Sequence, residues 1–146
     1  MKPLHPSPLA LLLIRSFEGL RLTAYQCPSG IWTIGYGHTD GVTQYDTITK
    51  QEAEYLLGED IRLVANFISN YDLDLKQFQF DALISFVFNI GNRAFASSTI
   101  LAKIKANPND PTIRDEFRRW IYSNGVVLEG LKRRREEEIR YYFNEF

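Results

Sequence analysis

Three polar side chains of different chemistry lie close together near the start of the chain: Glu18, Cys27 and Thr33. A carboxylic acid can protonate a leaving oxygen, a thiolate can attack carbon or take a proton from water, and a hydroxyl can hold a water molecule. Glu18 ends an apolar stretch, Cys27 lies among turn-forming residues and Thr33 lies among β-formers. Side chains on three kinds of element can converge on one bond, as a hydrolytic site requires.

Each of these residues also has an ordinary structural interpretation. A glutamate at a helix end is usually solvated, a lone cysteine is usually a small buried apolar side chain, and threonine is a common strand former. Cys27 is the only cysteine, so no intramolecular disulfide can form. His38, with only His5 besides it and no cysteine cluster, is more typical of a packed histidine than of a zinc ligand.

The surrounding pattern indicates which elements must position the three groups. Ser7, followed by proline, predicts a capped helix start, and Gly19 predicts the helix end. We therefore expect an N-terminal helix over 7–19 with Glu18 in its last turn. Strand formers alternate with turn signals over about 20–47, which predicts a lobe of two or three short antiparallel strands.

The remainder of the chain, about 49–146, has helical patterning. Thr49 and Glu52 form the signature of a capping box, which predicts a helix that runs to about residue 70. A nearly all-apolar stretch over about 76–90 predicts a buried central helix. We expect about five helices in this lobe, the last three over 98–106, from about 110 to 122, and from just after Gly130 to about 143.

The length and the apolar content of the chain predict a single domain over 1–146. The chain has 146 residues, of which 45% are apolar, enough for a single core. We expect an α+β fold with a small sheet lobe, a larger helical lobe and a cleft between them for a long ligand. The net charge of −1 argues against a dedicated nucleic-acid binder.

The apolar run Leu9–Ile14 bears on membranes and export. It is too short for a membrane span, and no small-residue cleavage site of a signal peptide follows it. We therefore expect no stable membrane insertion, no signal peptide and a product made in the cytoplasm. We also expect a monomer, because one core uses the apolar residues and no heptad stripe is evident.

The spacing of the three polar residues resembles a known catalytic motif. Glu18, Cys27 and Thr33 match the pattern Glu, eight residues, Asp or Cys, five residues, Thr of the phage-type lysozymes, glycoside hydrolase family 24. The resemblance continues through the flanks and in order along the chain. It includes Phe17-Glu18-Gly19, Thr33-Ile34-Gly35-Tyr36-Gly37-His38-Thr39, Asp81-Ala82-Leu83, Phe88-Asn89, Ser97-Ser98-Thr99, Arg119-Trp120 and Arg133-Arg134-Arg135.

This resemblance implies a lysozyme-like fold and a muramidase. Such an enzyme hydrolyses the β-1,4 bond between N-acetylmuramic acid and N-acetylglucosamine in peptidoglycan, with no metal or cofactor. Glu18 would be the general acid, and Cys27 with Thr33 would hold the attacking water. Phe88 and Ser98 match positions that line the family's cleft, although core packing and a helix cap explain them equally well.

The resemblance also implies a biological setting. The partner would be the glycan strand of the bacterial wall, and the protein would act as an endolysin that lyses the host cell. It would wait in the host cytoplasm until a holin opens the membrane.

Many family members have an aspartate at the position that Cys27 occupies in this chain. An unperturbed thiol has a pKa of about 8.5, so only a few per cent is ionised near neutral pH. In one hypothesis nearby cations, Arg21 or the run Arg133 to Arg135, ionise Cys27. In the other, the neutral thiol mainly orients water together with Thr33.

The run Lys132-Arg133-Arg134-Arg135, followed by three glutamates, permits two interpretations. By default it is a solvated helix face with short-range charge pairs. Alternatively, one arginine lies over the cleft and contacts the anionic glycan-peptide or Glu18, and the sequence does not indicate which one.

Two other functions stay open from the sequence. A lytic transglycosylase would use Glu18 alone and leave anhydro-muramic ends. A catalytically decayed peptidoglycan-binding module is compatible with the missing aspartate, although Glu18 and Thr33 at the family's spacing argue against it.

Overall fold

A computed structural model of the protein describes residues 4–145. The ends of the predicted domain, residues 1–3 and 146, lie outside the described part. Within it the elements are α1 (Pro8–Glu18), β1 (Arg21–Gln26), β2 (Trp32–Gly35), α2 (Lys50–Ser69), α3 (Gln77–Ile90), α4 (Asn92–Ala96), α5 (Thr99–Ala106), α6 (Ile113–Arg118), β3 (Tyr122–Ser123), β4 (Val126–Val127) and α7 (Glu129–Tyr142). This arrangement confirms the α+β fold class.

Helix α1 is bounded as its capping residues predict. The Ser7 hydroxyl accepts from the N–H of Leu9, and Gly19 ends the helix with a φ of 67°. The N–H of Ser7 also donates to Asp81 of α3 across 3.0 Å, which fixes the start of α1 to the central helix. Glu18 is therefore presented at the end of an element whose other end is anchored.

Strands β1 and β2 form an antiparallel hairpin that follows α1 directly. Tyr25 pairs with Thr33 and Gln26 pairs with Trp32, so Cys27 falls in the connecting loop. The loop is closed by the N–H of Cys27, which donates to Ile31 O at 3.0 Å. The predicted small sheet lobe is thus present as a two-stranded hairpin with isolated bridges.

Helix α3 is the centre of the core, as its apolar sequence predicts. Its buried residues, among them Phe80, Leu83 and Phe86, pack against α1, α2 and α7. The capping box of α2 is also confirmed, since Thr49 accepts from the N–H of Glu52 and Glu52 accepts from the N–H of Thr49.

The segment after α5 differs from the prediction. The predicted helix from about 110 to 122 ends at Arg118, and β3 and β4 form a second hairpin. Its turn is Asn124-Gly125, where φ values of 50° and 77° give the left-handed pair that a tight hairpin prefers. Helix α7 begins at Glu129, so Gly130 lies within its first turn rather than before it.

The helical lobe contains six helices in its described part, α2 to α7, rather than about five. The addition is the short α4, which follows Gly91 directly. The sequence does not predict it, because one helical turn has almost no periodic signal. Within residues 4–145, none of the helices has the length and apolar character needed to span a membrane.

Candidate active site

The Glu18 carboxylate lies at the end of α1, beside the backbone of the sheet lobe. Its side chain is 19% exposed. A Cβ built on Gly37 would come within 2.5 Å of Glu18 Oε2, and Gly37 has a φ of 76°. Because any side chain at position 37 would collide with the carboxylate and strain the backbone, glycine permits the close approach of the two elements.

Arg134 of α7 holds the other oxygen of Glu18. Its Nη1 donates to Glu18 Oε1 across 2.7 Å, its Nε donates to Glu138 at 3.2 Å, and its Nη2 donates to the Ser85 carbonyl at 3.0 Å. The guanidinium also lies 4.9 Å from the centre of the Phe17 ring. Since the side chain is only 4% exposed, these contacts fix the position of Glu18 from inside the helical lobe.

Arg135 and Glu138 continue this buried charge cluster. Arg135 Nε lies 2.8 Å from Glu138 Oε1, without the alignment of a hydrogen bond, while Nη2 donates to Asn89 at 2.6 Å. Ser85 donates its hydroxyl to Glu138 at 2.6 Å. Burial lowers the pKa of Arg135 to about 10, so the guanidinium stays charged at neutral pH.

This cluster decides between the two interpretations of the run Lys132-Arg133-Arg134-Arg135. The expectation of a solvated helix face is wrong for Arg134 and Arg135, which are buried, and it holds for Arg133, which is exposed. Of the three arginines, Arg134 is the one that contacts Glu18. The two buried side chains face α3 because Ser85 and Asn89 offer them oxygen acceptors there.

Cys27 and Thr33 lie on the sheet lobe. Cys27 is half-buried and its Sγ lies 3.0 Å from the Ser29 hydroxyl. Thr33 is 3% exposed, and its hydroxyl donates to Ile31 O at 2.9 Å. Both side chains therefore have local partners that hold them in place.

Hydrogen bonds make the Cys27 thiol more acidic than an ordinary one. Burial would raise the pKa of Cys27, but hydrogen bonds from the Ser29 hydroxyl and from the backbone N–H groups of Ile31 and Ser29 lower it below its usual value. Within the described residues these neutral donors, rather than cations, cause the shift. Arg21 is engaged elsewhere, with its guanidinium 4.4 Å from the centre of the Tyr25 ring.

Tyr25 connects the sites of Glu18 and Cys27. Burial, then the charge of Glu18 and, more weakly, that of Cys27 raise the pKa of the Tyr25 phenol, against a lowering by Arg21. Both charges therefore act on one side chain, whose pairing partner in the hairpin is Thr33.

Phe88 and Ser98 have structural roles in the helical lobe. Phe88, in the last turn of α3, is partly buried against the core. Ser98 caps α5, where its hydroxyl accepts from Leu101 N–H at 3.2 Å and donates to Phe95 O at 2.7 Å. Contact of these two residues with sugar stays a prediction.

A contact between the lobes lies next to the Cys27 loop. The Asn124 side chain, at the tip of the second hairpin, donates to Pro28 O at 3.4 Å.

His38 is held by Asp60, whose Oδ2 lies 2.7 Å from Nδ1, and by the Asp40 carbonyl, which lies 2.9 Å from Nε2. His38 thus has the packed, hydrogen-bonded role typical of a lone histidine.

Glu18 also borders a groove of about 1280 Å³ between α1 and α7. Cys27, Thr33, Phe88 and Ser98 do not line it. Its walls are formed by Leu9, Leu12, Leu13, Ser16, Phe17 and Glu18 of α1, Asn89 of α3, and Leu128, Glu129, Gly130, Leu131, Lys132, Arg133, Arg134, Glu136, Glu137 and Tyr141 at and within α7.

Comparison with known proteins identifies relatives that match most of the chain. The family model described as phage lysozyme matches residues 15–138. The endolysin of Acyrthosiphon pisum secondary endosymbiont phage 1 is 41% identical over 140 residues, 92% of this chain and 95% of that protein. The endolysin of Bacillus phage B103 is 40% identical over 139 residues, 90% of this chain, which spans only 51% of that relative.

A solved structure is also similar. The muramidase domain of SpmX from Asticaccaulis excentricus superposes with a TM-score of 0.84 at 37% identity. The match covers 94% of this chain and 97% of that domain.

Proposed function

Because the chain belongs to the phage lysozyme family, we propose that it hydrolyses the β-1,4 bond between N-acetylmuramic acid and N-acetylglucosamine, with Glu18 as the general acid. Family membership makes it a lysozyme that degrades peptidoglycan. The bond and the residue roles are the finer proposal. The observation that carries them is the position of Glu18, which Arg134 holds from the helical lobe while Gly37 of the sheet lobe lies beside its other oxygen.

In the proposed reaction, one of the two carboxyl oxygens of Glu18 donates the proton to the leaving group. Oε1 accepts from Arg134 at 2.7 Å, so Oε2, the oxygen beside Gly37, carries the proton that passes to the glycosidic oxygen. Protonation of that oxygen lets the bond to the anomeric carbon break, while positive charge develops on the sugar ring. A fixed carboxyl group is suited to this step because proton transfer requires close, aligned partners.

Cys27 and Thr33 would direct the attacking water. The lowered pKa of the thiol increases the fraction of thiolate that can accept a proton from water as its oxygen bonds to the anomeric carbon. Thr33, which is nearly buried, would orient that water through its hydroxyl. One water is consumed, Glu18 loses one proton and Cys27 gains one, and exchange with solvent restores both groups.

The partner of the enzyme is the glycan strand of peptidoglycan. We further propose that the protein acts as a monomer, and that it reaches the wall of the host after a holin opens the membrane. Sedimentation at working concentration tests the first statement, and expression with and without a holin tests the second.

Product analysis tests the reaction directly. Purified murein digested by the protein should yield fragments with reducing muramic acid ends, detected by mass spectrometry. Anhydro-muramic ends would instead show attack by the substrate's own hydroxyl, which would contradict the water-directing role of Cys27 and Thr33. Absence of any cleavage would leave only a binding module and contradict the enzymatic proposal.

A further inference from the structure

One oxygen of Glu18 lies beside a short turn of the sheet lobe, over 34–38. The turn is closed at its base, because the N–H of Ile34 donates to His38 O and the N–H of His38 donates to Ile34 O, both at 2.9 Å. Gly37, within this turn, is the residue that meets the Glu18 carboxylate. The separation between the acid and the sheet lobe therefore depends on what holds the turn relative to α1.

Tyr36 connects the same turn to α2. Its side chain belongs to a residue that is 8% exposed, and its hydroxyl donates to Glu54 Oε1 across 3.2 Å. Burial, followed by the hydrogen bond to Glu54 and the charge of Glu54, raises the pKa of the Tyr36 phenol, so it remains a donor at neutral pH. Because Tyr36 directly precedes Gly37, this contact holds the turn next to the residue that meets the acid.

Glu54 uses its other oxygen to hold α1. Its Oε2 pairs with Arg15 Nη2, and the Arg15 guanidinium lies 5.7 Å from the centre of the Tyr36 ring. The Arg15 carbonyl accepts from the N–H of Gly19 at 3.1 Å, which closes the last turn of α1 around Glu18. One carboxylate of α2 thus joins the turn of the sheet lobe to the end of α1.

Folding stability alone does not explain this arrangement. The Arg15 and Glu54 side chains are 38% and 32% exposed, and ion pairs this exposed contribute little to the free energy of unfolding because water screens their charges. The turn also has another anchor on α2, since Asp60 holds His38. What the contacts of Glu54 add is a connection from the turn to α1 itself.

We propose that Arg15, Glu54 and Tyr36 are positioning residues for the reaction, which together set the separation between Glu18 and Gly37. The inference rests on the proposed function, in which the oxygen of Glu18 beside Gly37 donates the proton. The three side chains form a series of contacts, so loss of any one of them lets the turn move relative to the acid. Proton transfer slows when its partners are displaced, whereas binding of the sugar is unchanged.

Tyr36→Phe removes one hydroxyl and tests this role. On purified murein it should lower kcat about tenfold and leave KM unchanged. Tyr142→Phe is the matched control, because its buried hydroxyl donates to Pro108 O at 2.6 Å, a contact between α7 and the loop after α5. The control should lose stability and keep the wild-type kcat. Equal values of kcat in the two variants, both measured on folded protein, would overturn the proposal.

Replacements of Arg15 test the connection to α1. Arg15→Gln should lower kcat as much as Tyr36→Phe does, and Arg15→Lys, which keeps the ion pair with Glu54, should recover most of the rate. Because the contacts act in series, the double variant should be about tenfold slower than wild type, like each single variant, and not about a hundredfold slower as two independent effects would make it. A hundredfold loss, or an Arg15→Lys variant no faster than Arg15→Gln, would overturn the proposal.

A measurement without substrate keeps this proposal distinguishable from the catalytic one. The NMR signal of the Glu18 carboxyl carbon, assigned by its loss in Glu18→Gln, should shift in Tyr36→Phe and stay in place in Tyr142→Phe. If wild type leaves murein intact but the signal shifts, the catalytic proposal alone fails. If murein is cleaved and Tyr36→Phe changes neither the signal nor kcat, the positioning role is refuted.

Discussion

Arg134 donates to the Glu18 carboxylate across 2.7 Å, although the two residues lie near opposite ends of the chain. The contact brings the last helix against the end of the first. Arg134 in turn is held by Glu138 and Ser85, so the position of the candidate acid depends on a buried cluster in the helical lobe.

Replacement of Arg134 should affect both activity and stability. Arg134→Gln removes one of the two arginines that pair with buried Glu138, although Arg135 remains, and it should lower the free energy of unfolding by about 1–3 kcal/mol. It should also lower kcat at least about tenfold, because Glu18 loses its anchor. Arg134→Lys retains the charge but not the three-way contact, so it should recover stability more than kcat. Urea unfolding and murein turnover measure the two effects, and full activity in a folded Arg134→Gln would contradict the positioning role.

Gly37 offers a test with a matched control. Gly37→Ala and Gly41→Ala both place a side chain at positive φ, 76° and 71° respectively, which should cost each about 1 kcal/mol of stability. Only the Cβ at position 37 meets Glu18, whereas nothing lies within 4 Å of one at position 41. Murein turnover should therefore fall at least about tenfold in Gly37→Ala and remain normal in Gly41→Ala. Equal activities of the two variants would contradict the close packing of Gly37 on the acid.

The Cys27 thiol should titrate below its usual pKa. Since it is the only cysteine, iodoacetamide labelling as a function of pH reports on it alone, and the protein in urea gives the reference value. Ser29→Ala removes a hydrogen bond that stabilises the thiolate, so the labelling midpoint should move to higher pH. A native midpoint equal to that in urea would contradict the hydrogen-bond account.

Activity should follow the protonation state of position 27. Cys27→Ser should lose most murein turnover, because a serine hydroxyl does not ionise near neutral pH. Cys27→Asp should retain turnover, because an aspartate is ionised there. Full wall lysis by Cys27→Ser, measured beside wild type, would leave Cys27 with a structural role only.

The sequence predicted best those features whose signals are local. The caps at Ser7 and Thr49 and the glycine at position 19 bound their helices through contacts a few residues away, and the structure agrees with them. The second hairpin was missed because β3 and β4 have two residues each, too few for an alternating pattern.

The candidate site was predicted only in part, because some of its contacts join residues far apart in the sequence. The spacing of Glu18, Cys27 and Thr33 is visible in the sequence, but the burial of Arg134 and Arg135 is not. A helix as charged as α7 has the composition of a solvated one, and the acceptors that turn two of its arginines inward lie mostly on distant elements, Ser85 and Asn89 on α3 and Glu18 on α1.

The most direct test of the account is the replacement Glu18→Gln, which keeps the shape and the hydrogen-bond acceptor for Arg134 but removes the transferable proton. Release of reducing ends from purified murein should fall about a thousandfold, while the urea midpoint changes little. Glu59→Gln, on α2, is the control and should match wild type. A folded Glu18→Gln variant that releases reducing ends at the wild-type rate would contradict the assignment of Glu18 as the acid.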